Sequence, residues 1–125
     1  AFRGRGALTF SAASNLAASL YNVQRFEEAK SLLRKTIPVA RRVLGEGDSL
    51  TLKMRWIYAT ALSNADIGVT LDDLREAVKT FVETRRIARR VLGSEHPSVV
   101  KIKKPLRCAR AKLFFAVCIS CGRLR

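Results

Sequence analysis

The sequence predicts an all-α fold: antiparallel helix-pair repeats, two of them, closed by a C-terminal capping helix. Three observations carry that prediction. Residues 26–45, FEEAKSLLRKTIPVARRVLG, return at an offset of 48 as residues 74–93, LREAVKTFVETRRIARRVLG, and the block Ala40-Arg41-Arg42-Val43-Leu44-Gly45 returns unchanged as Ala88-Arg89-Arg90-Val91-Leu92-Gly93. A period of tens of residues marks a supersecondary unit stacked on its own copy. Around these blocks, apolar residues recur three or four apart, which is the helical period. A glycine closes each copy at the place where helices commonly end in a left-handed residue.

The elements follow in order. Residues 1–7 read as a basic N-terminal tail, and repeat 1 spans about residues 8–45. Its first helix, 8–22, carries Leu8, Ala12, Leu16, Ala17 and Leu20 on one face, and its second puts Phe26, Ala29, Leu33, Ile37, Ala40 and Leu44 on one stripe. Pro38 lies inside that stripe and predicts a kink, because it lacks an N–H and crowds the carbonyl four residues back. Repeat 2 spans about residues 48–93, with Asp48 or Ser49 as helix cap and Leu52, Trp56, Ala59 and Leu62 turned to the core. Leu20 to Leu62 is 42 residues while Phe26 to Leu74 is 48, so six residues, 65–70, are inserted in the second repeat. Thr70 with Asp73 has the form of a capping box opening the next helix, which carries Leu74, Ala77, Phe81, Ile87 and Ala88 on its apolar face. The capping helix, about 97–121, opens at Pro97 and keeps Val99, Ile102, Leu106, Ala109, Leu113 and Val117 at helical spacing. Pro105 predicts a kink or a split in it. Lys103, Arg107, Arg110 and Lys112 supply the polar outer face a terminal cap needs, and 122–125 form a basic C-terminal end.

Charge divides unevenly. The net charge is +14 over 125 residues. Residues 1–64 hold +6, residues 65–100 are balanced, and residues 101–125 hold +8 with no acid. An anionic partner follows from this balance. The chain opens on Ala1 rather than Met, as a processed protein or a fragment would, and no signal peptide is visible. Three cysteines, an odd number, argue for a reducing compartment, intracellular and by expectation cytoplasmic.

The motif Leu16-Ala17-x-x-Leu20, then Arg25-Phe26-Glu27-Glu28-Ala29, then Arg42-Val43-Leu44-Gly45, resembles the tetratricopeptide repeat of the kinesin light chain type. Val91-Leu92-Gly93-x-x-His96-Pro97 is similar to that type's inter-repeat turn. Gln24 stands at the family's turn glycine, and Gly47-Asp48 stands where His-Pro is expected. The resemblance implies a right-handed stack of helix pairs that binds peptides or partner proteins on a concave surface, without catalysis.

Catalytic and metal chemistry find little support in the residues. Cys118-Ile119-Ser120-Cys121 is a CxxC, but a structural zinc site needs four ligands, and the sequence offers only Cys108 and a lone histidine besides. His96 lacks a nucleophile or acid partner and reads as a helix cap. No phosphate-binding glycine loop or paired-carboxylate site is visible, so no cofactor is expected. The function predicted is therefore a non-catalytic scaffold that binds a peptide or partner protein in the groove of the first helices, the partner being acidic. The residues expected to contact it are Asn15, Asn22, Arg55, Tyr58 and Asn64. The alternative is a basic helical subunit of a ribonucleoprotein or other large assembly. Its phosphate contacts would be Arg85, Arg86, Arg89 and Arg90, at i, i+1, i+4 and i+5 on one ridge, with Lys101, Lys103 and Lys104. A membrane surface is the least favoured partner: the longest apolar run, Leu113 to Ile119, is far shorter than the ~20 residues of a span.

Overall fold

The computed structural model describes residues 2–64, 69–120 and 122, with side chains described over 9–64 and 69–119. Five helices follow one another: α1 (Phe2–Asn22), α2 (Phe26–Val43), α3 (Ser49–Asn64), α4 (Leu71–Leu92) and α5 (Pro97–Ser120). Each packs on its chain neighbours as an antiparallel pair. In addition α3 packs on both α1 and α5, whereas the backbones of α2 and α4 stand apart across a cleft. The helices therefore form two layers, α1–α3–α5 and α2–α4, the arrangement the repeat predicts.

The 48-residue echo is an echo of the core. Ala29, Leu33 and Ala40 are buried on α2, and their copies Ala77, Phe81 and Ala88 are buried on α4. Full burial of a Leu or Phe side chain stabilises by about 1.5–3 kcal/mol, so the central pair, Leu33 and Phe81, anchors each repeat. The copied arginines Arg41, Arg42, Arg89 and Arg90 are exposed in both repeats, as are Val43 and Val91.

Local signals set the helix ends. Gly45 and Gly93 both adopt positive φ, 96° and 94°, directly after their helices. Thr70 and Asp73 form the capping box in full: the Asp73 N–H donates to Thr70 Oγ1 at 3.0 Å, and the Thr70 N–H donates to Asp73 Oδ2 at 3.1 Å. The two inter-repeat turns use different residues for the same cap. The Leu50 N–H donates to Asp48 Oδ1 at 2.9 Å, and at the copied position the Ser98 N–H donates to His96 Nδ1 at 3.1 Å. Gln24 takes the left-handed conformation, φ 63°, at the family's glycine position. The turn closes through Arg25 N–H to Leu20 O at 2.8 Å, beneath an edge-on Tyr21–Phe26 pair.

Three expectations are corrected. The helix α1 starts at Phe2, where a basic tail over 1–7 was expected. Its buried face is Phe10, Ser14 and Ala17, while Leu16 is 53% exposed. As the first helix it has neighbours only in α2 and α3, and the small side chains of Ser14 and Ala17 let it come close to them. Both α2 and α5 run unbroken through Pro38 and Pro105, so the split expected near Lys104 is absent. The helix α4 starts at Leu71, directly after the Thr70 cap where the sequence places it, so residues 71–73 lie ahead of Leu74, the counterpart of Phe26. Residues 65–68, Cys121 and 123–125 lie outside the described residues, so the CxxC and most of the basic C-terminal end do too.

Candidate functional site

On α3, every residue is buried except one stripe: Ser49 and Lys53 are exposed, and Leu50, Trp56, Thr60 and Asn64 are half-buried. This stripe lies between α1 and α5, on the face of the first helices of the pairs. At its N-terminal end a pocket of about 310 Å³ opens between α3 and α5, floored by Thr84, Ala88 and Leu92 of α4. Leu50, Leu52 and Ile102 give it apolar walls, with Lys53 and Lys101 at its edge. Trp56 lines it too, and the indole N–H is buried without an acceptor. At the C-terminal end of the stripe a polar chain ties the three helices together. The Asn64 amide donates to the Tyr21 hydroxyl at 2.8 Å, and Lys112 Nζ donates to Asn64 Oδ1 at 3.0 Å and to the Ser63 carbonyl at 2.7 Å. Lys112 thus reaches inward across α3 instead of forming the outer face of the cap.

Of the five residues predicted to meet a partner, Asn15 and Asn22 are exposed on α1 and Asn64 sits in that polar chain. Arg55 and Tyr58 do not join them. Both are buried, at 5% and 7% exposure, and turn toward the α2–α4 layer. Tyr58 accepts from Arg34 Nε at 3.0 Å and donates to Glu76 at 2.7 Å, while Arg55 donates to Glu83 at 2.7 Å. A helix flanked on three sides offers solvent only a narrow arc, and these two lie outside it. Burial raises the pKa of the Tyr58 hydroxyl, which the Arg34 hydrogen bond partly opposes. Around them runs a cleft of about 300 Å³ between α2 and α4, in which Arg34, Arg41 and Arg55 meet Glu76 and Glu83. Arg41 also pairs with Glu46, which holds that carboxyl below its ordinary range.

The arginine ridge is gathered into a third site. Arg85, Arg86, Arg89 and Arg90 of α4 line a cleft of about 560 Å³ together with Arg110 of α5, over Val82 and Leu106. Lys103 and Arg107 border its extension along α5. Of the other lysines expected there, Lys101 belongs to the Trp56 pocket and Lys104 borders neither. Helical spacing revealed the ridge; that Arg110 joins it, 20 or more residues on, required the packing of α5 on α4.

A family model, the tetratricopeptide repeat, matches residues 9–49 and 69–98. The chain belongs to the tetratricopeptide repeat family. Comparison with curated proteins and with solved structures finds no match. Tetratricopeptide repeats generally mediate protein–protein interaction and are typically non-catalytic scaffolds. Among the described residues no helix is long and apolar enough to cross a membrane, and no three His, Cys, Asp or Glu residues group as metal ligands.

Proposed function

We propose that this tetratricopeptide repeat chain is a non-catalytic interaction module, similar to the kinesin light chain type, that receives an acidic segment of a partner protein on the face of α1, α3 and α5. The observation that carries the reading is the apolar pocket lined by Trp56 and edged by two exposed lysines, Lys53 and Lys101. An apolar side chain of the partner enters between Leu50, Leu52 and Ile102, and its carboxylates meet Lys53 and Lys101. Asn15 and Asn22, exposed on α1, extend the contact along the groove.

Displayed peptides selected on the wild-type protein test this. The selected sequences should place Asp or Glu beside one apolar residue. Their affinity should fall by about tenfold or more on Lys53→Glu with Lys101→Glu, two exposed positions whose replacement leaves the core intact. Selected peptides that bind this variant as tightly as wild type would overturn the reading.

A further inference from the structure

The arginine cleft on α4 and α5 is the repeat copy of the cleft between α2 and α4. At the offset of 48, Arg34, Ile37, Pro38 and Arg41 become Val82, Arg85, Arg86 and Arg89, and Arg55 and Tyr58 of α3 become Lys103 and Leu106 of α5. The inner cleft has a far wall, α4, which brings Glu76 to Tyr58 and Glu83 to Arg55. The end cleft has no such wall among the described residues. None of its cations takes part in an ion pair among the described residues, and the buried Nε of Arg85 has no acceptor. An apolar helix of the ordinary repeat kind does not suit the vacant side. Where α3 buries Ala59 and Leu62, α5 exposes Arg107 and Arg110.

We infer that the end cleft docks an acidic α-helix of a partner protein, one that repeats the chemistry α4 shows to the inner cleft. Its carboxylates stand seven residues apart, as Glu76 and Glu83 do, two helical turns and about 10.5 Å along the axis. Arginine suits this role because its planar fork binds a carboxylate through two parallel hydrogen bonds. No aromatic side chain lines the cleft to stack a base, which sets the site apart from single-strand nucleic-acid surfaces. This face is separate from the Trp56 pocket and does not rest on the groove reading.

The test uses two labelled peptides of about 20 residues on an alanine-rich helical host. In one, glutamates lie seven apart on one face; in its composition-matched isomer they are spread around the helix. Fluorescence anisotropy should show the aligned peptide binding at least about tenfold more tightly than the isomer. Arg89→Glu with Arg110→Glu should abolish that preference. Lys35→Glu with Arg42→Glu, an equal change of charge on the exposed side of α2, should keep it, as should Lys53→Glu with Lys101→Glu. Equal binding of the two isomers, or equal loss in all three variants, would reduce the cleft to diffuse electrostatics and overturn the inference. Displacement of the aligned peptide by tripolyphosphate or single-stranded RNA at lower charge concentration would reassign the cleft to phosphate. Arginine-dependent self-association in sedimentation would reassign it to a second copy of the chain.

Discussion

The inner cleft between α2 and α4 and the end cleft on α4 and α5 are built largely from the same repeat positions, yet α4 brings two carboxylates to the first and the second has none in its lining among the described residues. In the inner cleft, Arg55 is 5% exposed and rests on Glu83, and Tyr58 joins Arg34 to Glu76. In the end cleft none of the five arginines takes part in an ion pair among the described residues. Of the inner cleft's cations only Arg41 and Arg55 return, as Arg89 and Lys103, while Arg85 and Arg86 stand where the inner cleft has Ile37 and Pro38; the acids belong to the helix that forms the far wall. Charge balance in the inner cleft is thus supplied by the neighbouring helix, and the described residues bring no such helix to the end cleft.

The largest test of this contrast removes the neighbour's acid. Glu83→Ala leaves the Arg55 guanidinium buried without its partner and should cost about 2–3 kcal/mol in denaturant unfolding. That is below the full penalty for a broken buried pair, because Glu83 is itself 40% exposed. Arg55→Met in the same background should restore part of the loss. A cost indistinguishable from zero would mean that the inner cleft is not held by its charges.

A smaller effect is expected at Tyr58. Tyr58→Phe removes one hydrogen bond to Arg34 and one to Glu76, both of which can turn to water, and should cost about 1 kcal/mol. The pH dependence has a definite sign. Burial raises the folded pKa of Tyr58 above its ordinary value of 10.0, so its contribution is complete below pH 10.0 and is lost as pH rises through the folded pKa. Wild type should lose stability on this alkaline limb more steeply than Tyr58→Phe, followed by chemical denaturation across the range. The copied position, Leu106, has no such limb to lose.

The smallest expected effect lies in the end cleft. Arg86→Glu should change stability by less than about 0.5 kcal/mol, since it breaks no ion pair and relieves repulsion among exposed like charges. The equivalent reversal at Arg34 should destabilise, because it sets an anion against Tyr58 and Glu76. Equal losses at Arg86 and Arg34 would erase the distinction between the clefts.

Much of the fold was legible in the sequence because the signals are local. The echoed alanines and the Leu33–Phe81 pair, the Thr70–Asp73 box and the two stop glycines all act within a turn or two of their own positions. Even the departures at Gln24 and Asp48 conceal the expected geometry: a left-handed turn without glycine, and a cap in which a carboxylate does the work of an imidazole. The site was less legible. Helical spacing marked Arg55 and Tyr58 as polar positions on a first helix, but their partners lie 28 and 18 residues away on α4. Only the three-dimensional offset between helices decides which arc of α3 meets solvent. The sequence reads Trp56 as packing between helices; the pocket beside it is formed only when α5 packs across α3 and α4.

The exposed Arg107 and Arg110, standing where α3 buries Ala59 and Leu62, also bear on assembly. Two copies brought together α5 against α5 would each confront the other with a cluster of guanidinium groups. Their repulsion, strongest at low ionic strength, works against a symmetric dimer through this face.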